Sequence, residues 1–76
     1  MDRKKLIDFR GDRSQSAMAA IYGVSQQAWC MWEKGRWKPN VITMKRLEMD
    51  SGIAMEELFP DVFNKKNLFK SKEATA

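Results

Sequence analysis

The sequence predicts a small all-α domain of five short helices, and three observations support this fold class. Apolar residues in the first 60 positions recur with the three-to-four-residue period of a helix and do not alternate as in a strand. No Asn-Gly or Asp-Gly hairpin dipeptide occurs, and the chain has only four glycines and two prolines. A chain of 76 residues also buries only about 60% of its unfolded surface, which favours a simple fold with local contacts.

Serine, glycine and proline mark the ends of the predicted helices. The five helices cover about residues 2–10, 15–22, 26–34, 41–50 and 55–59. Ser14 and Ser25 precede helices 2 and 3, and each hydroxyl can accept an amide proton of the first helical turn. A glycine follows each of the first four helices, where a left-handed residue commonly ends a helix, and Pro60 ends the fifth.

The periodic apolar positions of these helices predict the core. Its predicted members are Leu6, Ile7, Phe9, Met18, Ala19, Tyr22, Trp29, Trp32, Ile42, Met44 and Leu47. Trp29 and Trp32 are three residues apart on helix 3 and share a face, which we expect to pack between helices 2 and 4. Tryptophans at this spacing belong to a core far more often than they stack on DNA.

Helix 3 combines this apolar face with a polar, uncharged start. Residues 14–32 contain no charged side chain, although charged residues make up 32% of the chain. Gln26 and Gln27 nevertheless stand at the exposed start of the helix, and Ala28 and Met31 lie on its outward side. A side-chain amide can bond an adenine edge at two atoms, so this face suits the DNA major groove. Without the surrounding motif, a plain solvated polar face would be the preferred interpretation.

The segments around helix 3 could bind the DNA backbone. Lys34, Arg36 and Lys38 place three positive charges around Trp37, and such cations bind phosphates without reading sequence. The ring of Trp37 could equally cover the edge of the core or contact DNA sugar and phosphate.

The starts of helices 2 and 3 also attract phosphates, through free backbone amides and the helix dipole. Gln15, the first residue of helix 2, is placed to bond a phosphate or to brace Gln26, because a tight turn brings the two helix starts together. Ser25, directly before helix 3, is a second candidate for a backbone contact.

Composition limits the other function classes. A net charge of +4 favours an anionic partner, although proteins that only need to stay dissolved often carry as much. One cysteine, Cys30, and no histidine exclude an internal disulfide and a His/Cys zinc site. No nucleophile–base pair and no carboxylate cluster is evident, so we expect no enzymatic activity, no cofactor and no small-molecule ligand. The lone cysteine and the absence of a signal peptide or a bilayer-spanning run predict a cytoplasmic protein without a membrane partner.

The sequence divides into a helical body, residues 1–60, and a basic tail, residues 61–76. The tail contains four lysines, and we expect its last few residues to be disordered. Two apolar pairs, Val62-Phe63 and Leu68-Phe69, would dock either on the body or on a second subunit. If they join two subunits, truncation after Pro60 leaves a folded monomer that binds a half-site weakly.

A set of short motifs occurs in a fixed order along residues 3–60. They are Arg10-Gly11, Ser14-Gln15, Met18-Ala19, Gly23-Val24-Ser25, Trp32-Glu33-Lys34-Gly35, Pro39, Leu47, Gly52-Ile53 and Leu58-Phe59. This set resembles the helix-turn-helix of the Cro/repressor family, which includes the lambdoid phage repressors and many small bacterial (XRE-type) regulators. Each motif alone is weak, whereas the ordered set is specific. The resemblance implies a five-helix lambda-repressor-like domain with helix 3 in the major groove.

The resemblance also implies roles for single residues. Gln15 matches a glutamine that contacts a phosphate and supports the first recognition side chain. The base-facing positions of the recognition helix are matched by Gln26, Gln27, Ala28 and Met31. The loop that lies along the DNA backbone is matched by Arg36, Trp37 and Lys38. Glu33 matches a glutamate that pairs with an arginine of helix 1, which here is Arg10.

Two features depart from the family pattern. Trp29 and Trp32 stand where the family more often has Ile, Val, Leu or Tyr, so helix 3 could be shifted or tilted. Met31 cannot donate a hydrogen bond, so any readout by it would be apolar contact with thymine methyl groups.

These features predict a sequence-specific transcriptional regulator, most simply a repressor, that binds double-stranded DNA in a bacterial or phage-infected cell. One recognition helix contacts few base pairs, so specificity requires a homodimer on a palindrome with half-sites about one helical turn apart. Two alternatives use the same fold: the antitoxin of a toxin–antitoxin pair, and a protein-interaction module that does not bind DNA. The basic loop and the three glutamines argue against the interaction module.

Overall fold

Five helices follow one another in the computed structural model, which describes residues 2–63. They are α1 Lys4–Arg10, α2 Gln15–Ile21, α3 Gln26–Glu33, α4 Val41–Ser51 and α5 Met55–Leu58. Each helix end lies within two residues of its predicted position, and no strand occurs in this part of the chain. The predicted all-α class is therefore confirmed for the described residues.

Side-chain caps begin the three central helices. Ser14 and Ser25 each accept, through Oγ at 3.0 Å, the amide proton of the third residue along the chain. Asn40 caps α4 in the same way, with its Oδ1 at 2.8 Å from the amide nitrogen. Each such cap stabilises a helix by about 1 kcal/mol. The caps set where α2 and α3 begin, and hence which residues stand at their exposed starts.

The turn between α2 and α3 depends on Gly23. Its φ of +68° lies in the left-handed region, which costs other residues about 1 kcal/mol or more. No atom lies within 4 Å of the place where a Cβ would stand, so the backbone conformation and not crowding requires glycine. The Val24 amide then donates to the Ala19 carbonyl at 2.9 Å, which closes α2 and lets α3 start at once.

The core lies where α2 and α3 pack together and where α5 packs against α1 and α4. Its buried apolar members are Leu6, Met18, Ala19, Tyr22, Trp29, Trp32, Met44, Leu47, Leu58 and Phe59. Trp29 is fully buried, with its ring centroid 5.7 Å from that of Tyr22 and 5.5 Å from that of Trp32. The predicted core face of α3 is confirmed, and Phe9 packs at the core edge as a partly buried residue.

Two predicted core residues lie outside the core. Ile7 is only partly buried and is not among the partly buried residues that pack against the core. Ile42 is 81% exposed, whereas Met44 and Leu47 are buried as predicted. Residues two positions apart on a helix point about 200° apart, so Ile42 and Met44 cannot both face the core. Burial of Met44 and Leu47 therefore turns Ile42 outward, beside Val41 and Met49, which are also exposed.

The chain after α5 packs against the body as far as the structure describes it. Asp61 forms an ion pair with Arg3, with 2.7 Å between Oδ2 and Nη2. Val62 and Phe63 pack against the core as partly buried residues. Of the two interpretations of the Val62-Phe63 pair, docking on the body is confirmed. The predicted boundary at residue 60 thus precedes three residues that contact the body. The second pair, Leu68-Phe69, lies outside the described residues.

Candidate nucleic-acid interface

α3 carries two exposed glutamines at its start and buries three side chains further along. Its buried side chains are Trp29, Trp32 and Glu33. Gln26 and Gln27 are exposed at its start, while Ala28 and Met31 are half-buried. Neither glutamine amide is bonded to any residue between 2 and 63. Both amides therefore keep their two donor protons and their acceptor oxygen for a partner.

The four predicted base-facing residues do not form one straight stripe. At 100° per residue, Gln27 and Met31 lie one above the other, opposite the buried side, and the exposed Lys34 continues this line. Gln26 and Ala28 lie on either flank of the line. Gln26 is nevertheless exposed, because it stands in the first turn where no preceding helical residue covers it. A partner that binds at the start of the helix would contact both glutamines. A partner that binds nearer the end of the helix would contact Met31.

A partly buried cluster (Arg10, Gln15, Trp29 and Glu33), here called the Glu33 cluster, attaches the inner side of α3 to α1 and α2. Glu33 is only 4% exposed. Its carboxylate accepts from Arg10 Nε at 2.6 Å, from Trp29 Nε1 at 2.6 Å and from Gln15 Nε2 at 2.9 Å. A longer bond of 3.3 Å joins Arg10 Nη2 to the second carboxylate oxygen. One carboxylate thereby ties α1, α2 and α3 together, and the Arg10–Glu33 pair that the family resemblance implies is present.

The Glu33 carboxylate stays ionised in this setting. Burial by itself would raise its pKa, but the hydrogen bonds from Arg10, Gln15 and Trp29 outweigh it and hold the pKa below the ordinary value. The hydrogen bond between Arg10 and Glu33 also raises the pKa of Arg10. A carboxylate with its acceptor positions occupied inside the protein supports structure and does not point to proton transfer with a substrate.

Gln15, which begins α2, bonds Glu33 and does not contact the start of α3. Gln15 donates from Nε2 to Glu33, and no bond to Gln26 occurs among the described residues. The predicted brace between Gln15 and Gln26 is therefore wrong. The amide nitrogen of Gln15 has a second proton, and the Ser25 hydroxyl, which accepts from the Ala28 amide, keeps its own proton. Both residues thus retain a donor for a phosphate.

The basic loop, residues 34–38, folds back against the end of α3. The Met31 carbonyl accepts the Arg36 amide at 3.0 Å and the Trp37 amide at 3.3 Å. Lys34, Arg36 and Lys38 are exposed, and none of them forms an ion pair within residues 2–63. Their charges therefore lie near the end of α3 without a counterion among residues 2–63. The Trp37 side chain is 50% exposed.

Arg3 is a structural residue that the sequence did not reveal. Its side chain is buried, with its Cζ 4.9 Å from the centre of the Phe59 ring. It donates to both carboxylate oxygens of Asp61, at 2.9 and 2.7 Å, and to the carbonyls of Trp32 and Trp37. In the sequence Arg3 is one of several charged residues near the N-terminus, and no local pattern separates it from its exposed neighbours.

Other kinds of site find no support in residues 2–63. No group of three or more His, Cys, Asp or Glu side chains in this range could hold a metal ion. None of the five helices is both long and apolar enough to cross a membrane. The features that stand out are thus the glutamines of α3 and the cations after it, which have no side-chain partner in the described part of the chain. Comparison of the chain with protein-family models, curated proteins and solved structures finds no match.

Proposed function

We propose that this chain is a sequence-specific DNA-binding regulator of transcription, most simply a repressor, of the lambda-repressor-like type. The observation that carries the proposal is that exposed Gln26 and Gln27 stand near the exposed cations of the basic loop, and that none of these side chains has a partner within residues 2–63. The glutamines would read base edges, and the cations would bind the flanking phosphates. No catalytic step is part of this function.

The support behind α3 suits insertion into a groove. The major groove is about 12 Å wide and admits one α-helix. The face of α3 that would stay outside the groove is held by Trp29, Trp32 and the Glu33 cluster. Because these contacts already fix the helix, binding would require ordering of the outward side chains but not of the helix backbone. Gln27 and Met31 would lie deepest, with Gln26 beside them at the helix start.

A homodimer completes the proposal. One α3 contacts only a few base pairs, whereas two copies related by a two-fold axis would read a palindrome with half-sites about 10 base pairs apart. Binding-site selection from randomised duplex DNA tests this. We expect enrichment of a palindrome with that spacing, and binding that weakens steeply as salt rises. No enriched sequence and no salt-dependent binding would overturn the proposal.

A second candidate is a protein-binding role on the same fold, either as the antitoxin of a toxin–antitoxin pair or as an interaction module alone. It is favoured by the outer face of α4, where Val41, Ile42 and Met49 are 67%, 81% and 74% exposed. Neighbouring apolar side chains exposed to this extent commonly mark an interaction surface. Ile42→Glu separates the roles: it would abolish a protein complex formed through this face and leave binding of a monomer to a half-site unchanged.

A further inference from the structure

We propose that Arg3 is a positioning residue for DNA binding: its buried guanidinium holds the basic loop, residues 34–38, where the loop cations meet DNA phosphates. The inference rests on the proposed function and assigns a new role within it. Arg3 is only 2% exposed and so cannot itself reach DNA. Any effect of Arg3 on binding must therefore pass through the residues that it holds.

The bonds of Arg3 join the N-terminal segment to the end of α3 and to the basic loop. Nη1 donates to the Trp32 carbonyl at 2.9 Å and to the Trp37 carbonyl at 2.6 Å. The backbone amide of Arg3 donates to the Glu33 carbonyl at 2.7 Å. Trp32 and Glu33 are the last two residues of α3, where backbone carbonyls have no acceptor role within the helix. One residue thus supplies donors to the end of the recognition helix and to the middle of the loop.

These bonds set the position of the loop relative to α3. A single guanidinium nitrogen bonds both carbonyls, so the distance between the helix end and Trp37 is fixed by two short bonds. Arg36 and Lys38 directly flank Trp37 in the chain and are exposed, so the same bonds set where their backbone atoms lie. Without them, the loop would keep its bonds to Met31 but lose its attachment to the N-terminal segment.

Asp61 and Phe59 keep the guanidinium in place. Asp61 accepts from Nε and Nη2 of Arg3 in the two-bond arrangement of an arginine–carboxylate pair, and the Phe59 ring covers the cation. These bonds hold the pKa of Asp61 below its usual range. The planar fork leaves Nη1 aimed at the two carbonyls. A lysine has one nitrogen at this depth and cannot bond Asp61 and both carbonyls in the same plane.

The test compares Arg3→Lys with a matched control, Arg46→Lys. Arg46 also donates to a backbone carbonyl, that of Ile21 at 3.0 Å, lies near an aspartate at 3.7 Å and covers an aromatic ring. Its contacts join α4 to α2 and do not touch the basic loop. Both substitutions keep the charge, so neither changes the number of cations in the chain.

The readout is the salt dependence of DNA affinity, measured on protein that circular dichroism shows to be folded. Where circular dichroism shows the same folded fraction at every salt concentration, partial unfolding lowers the apparent affinity equally throughout and does not change the slope of log affinity against log salt. A purely structural role therefore leaves the slope unaltered. We expect Arg3→Lys to flatten the slope by about one unit or more and Arg46→Lys to leave it unchanged. In a chain that already carries Arg36→Ala and Lys38→Ala, Arg3→Lys should cause no further change.

Two further measurements cover variants that fold poorly. Asp61→Asn keeps the guanidinium but removes its counterion, and should flatten the slope in the same direction by less. In the unaltered chain, nitrogen-15 spectra should resolve separate Nη signals for Arg3, as expected for a guanidinium held at fixed acceptors. An unchanged slope in a folded Arg3→Lys chain, or averaged Nη signals, overturns the positioning role. Absence of salt-dependent binding by the unaltered chain instead overturns the proposed function.

Discussion

Glu33 shows how one side chain can connect stability to the candidate interface. Its carboxylate receives hydrogen bonds from residues of α1, α2 and α3 and is almost fully buried. Because Trp29 is also fully buried, its indole N–H has no access to water if the carboxylate is removed. The Glu33 cluster therefore fixes the side of α3 that faces away from the proposed groove.

Glu33→Ala is expected to destabilise the fold by about 3 kcal/mol, because it leaves the Trp29 N–H and the partly buried Arg10 charge without their acceptor. Chemical denaturation of the purified variant measures the change. Glu33→Gln, which keeps one acceptor oxygen, serves as the control and should cost less. An Ala variant with the stability of the unaltered chain would show that the cluster contributes nothing.

The lowered pKa of Glu33 also predicts a pH dependence of stability. Above the ordinary value of 4.5, the carboxylate is charged in both the folded and the unfolded chain, and its stabilisation is complete. As the pH falls below that value, the unfolded chain binds the proton first, and the stabilisation is lost progressively. The melting temperature of the unaltered chain should therefore fall as the pH is lowered from 7 to 3, and that of Glu33→Gln should fall less. Parallel curves for the two proteins would contradict this.

Gln26→Ala and Gln27→Ala should each weaken binding to the selected DNA site by about 1–3 kcal/mol and have little effect on random DNA. Both residues are exposed, so their substitution should leave the fold intact. Titrations on the two kinds of DNA measure the difference. Equal losses on both would remove these residues from base readout.

Among the elements, the basic loop illustrates how a short connection can be ordered without regular structure. Met31 holds it to the last turns of α3, and Arg3 holds it to the N-terminal segment. Its three cations remain exposed because the loop takes part in these contacts only through its own backbone atoms. The loop is thus placed by groups that leave its side chains available to a partner.

Arg36→Ala and Lys38→Ala should weaken binding to all DNA sequences alike. Each removes one phosphate contact, so each should flatten the salt slope by about one unit. Lys4→Ala is a suitable control, because it removes one exposed charge on α1 and not in the loop. A slope equal to that of the control would exclude the loop from the interface.

At the scale of the whole molecule, the segment after α5 closes the fold. The Arg3–Asp61 pair joins positions that are 58 residues apart in the chain, and Val62 and Phe63 add to the core. Removal of these residues would leave a buried guanidinium without its counterion. Truncation at residue 60, the boundary that the sequence predicts between body and tail, is therefore a poor test of the role of the tail.

Truncation after Phe63 provides the better test. We expect this chain to stay folded, whereas truncation after Pro60 should destabilise it by about 3 kcal/mol or more through loss of the Asp61 pair. If the tail joins two subunits, the chain that ends at Phe63 sediments as a monomer and binds only half-sites weakly. A dimer mass and an unchanged operator affinity would show that residues 64–76 are not the dimerisation segment.

Local patterns in the sequence determined the helices and most of the core. The bounds of α2 and α3 follow from Ser14, Gly23 and Ser25, because caps and turns act over three or four residues. The outward position of Gln27 and Met31 follows from the inward position of the tryptophans, since one helix cannot turn both sets the same way. Such inferences need no knowledge of distant residues.

Only the tertiary structure decided the contacts between distant positions. Arg3 is buried because Asp61, Trp32 and Trp37 come together around it, and no segment near Arg3 in the chain predicts that meeting. Ile42 is exposed because α4 buries Met44 and Leu47. Whether a charged residue is buried or an apolar residue is exposed depends on the residues that the tertiary fold places around it. Those partners lie beyond the few residues over which local patterns act.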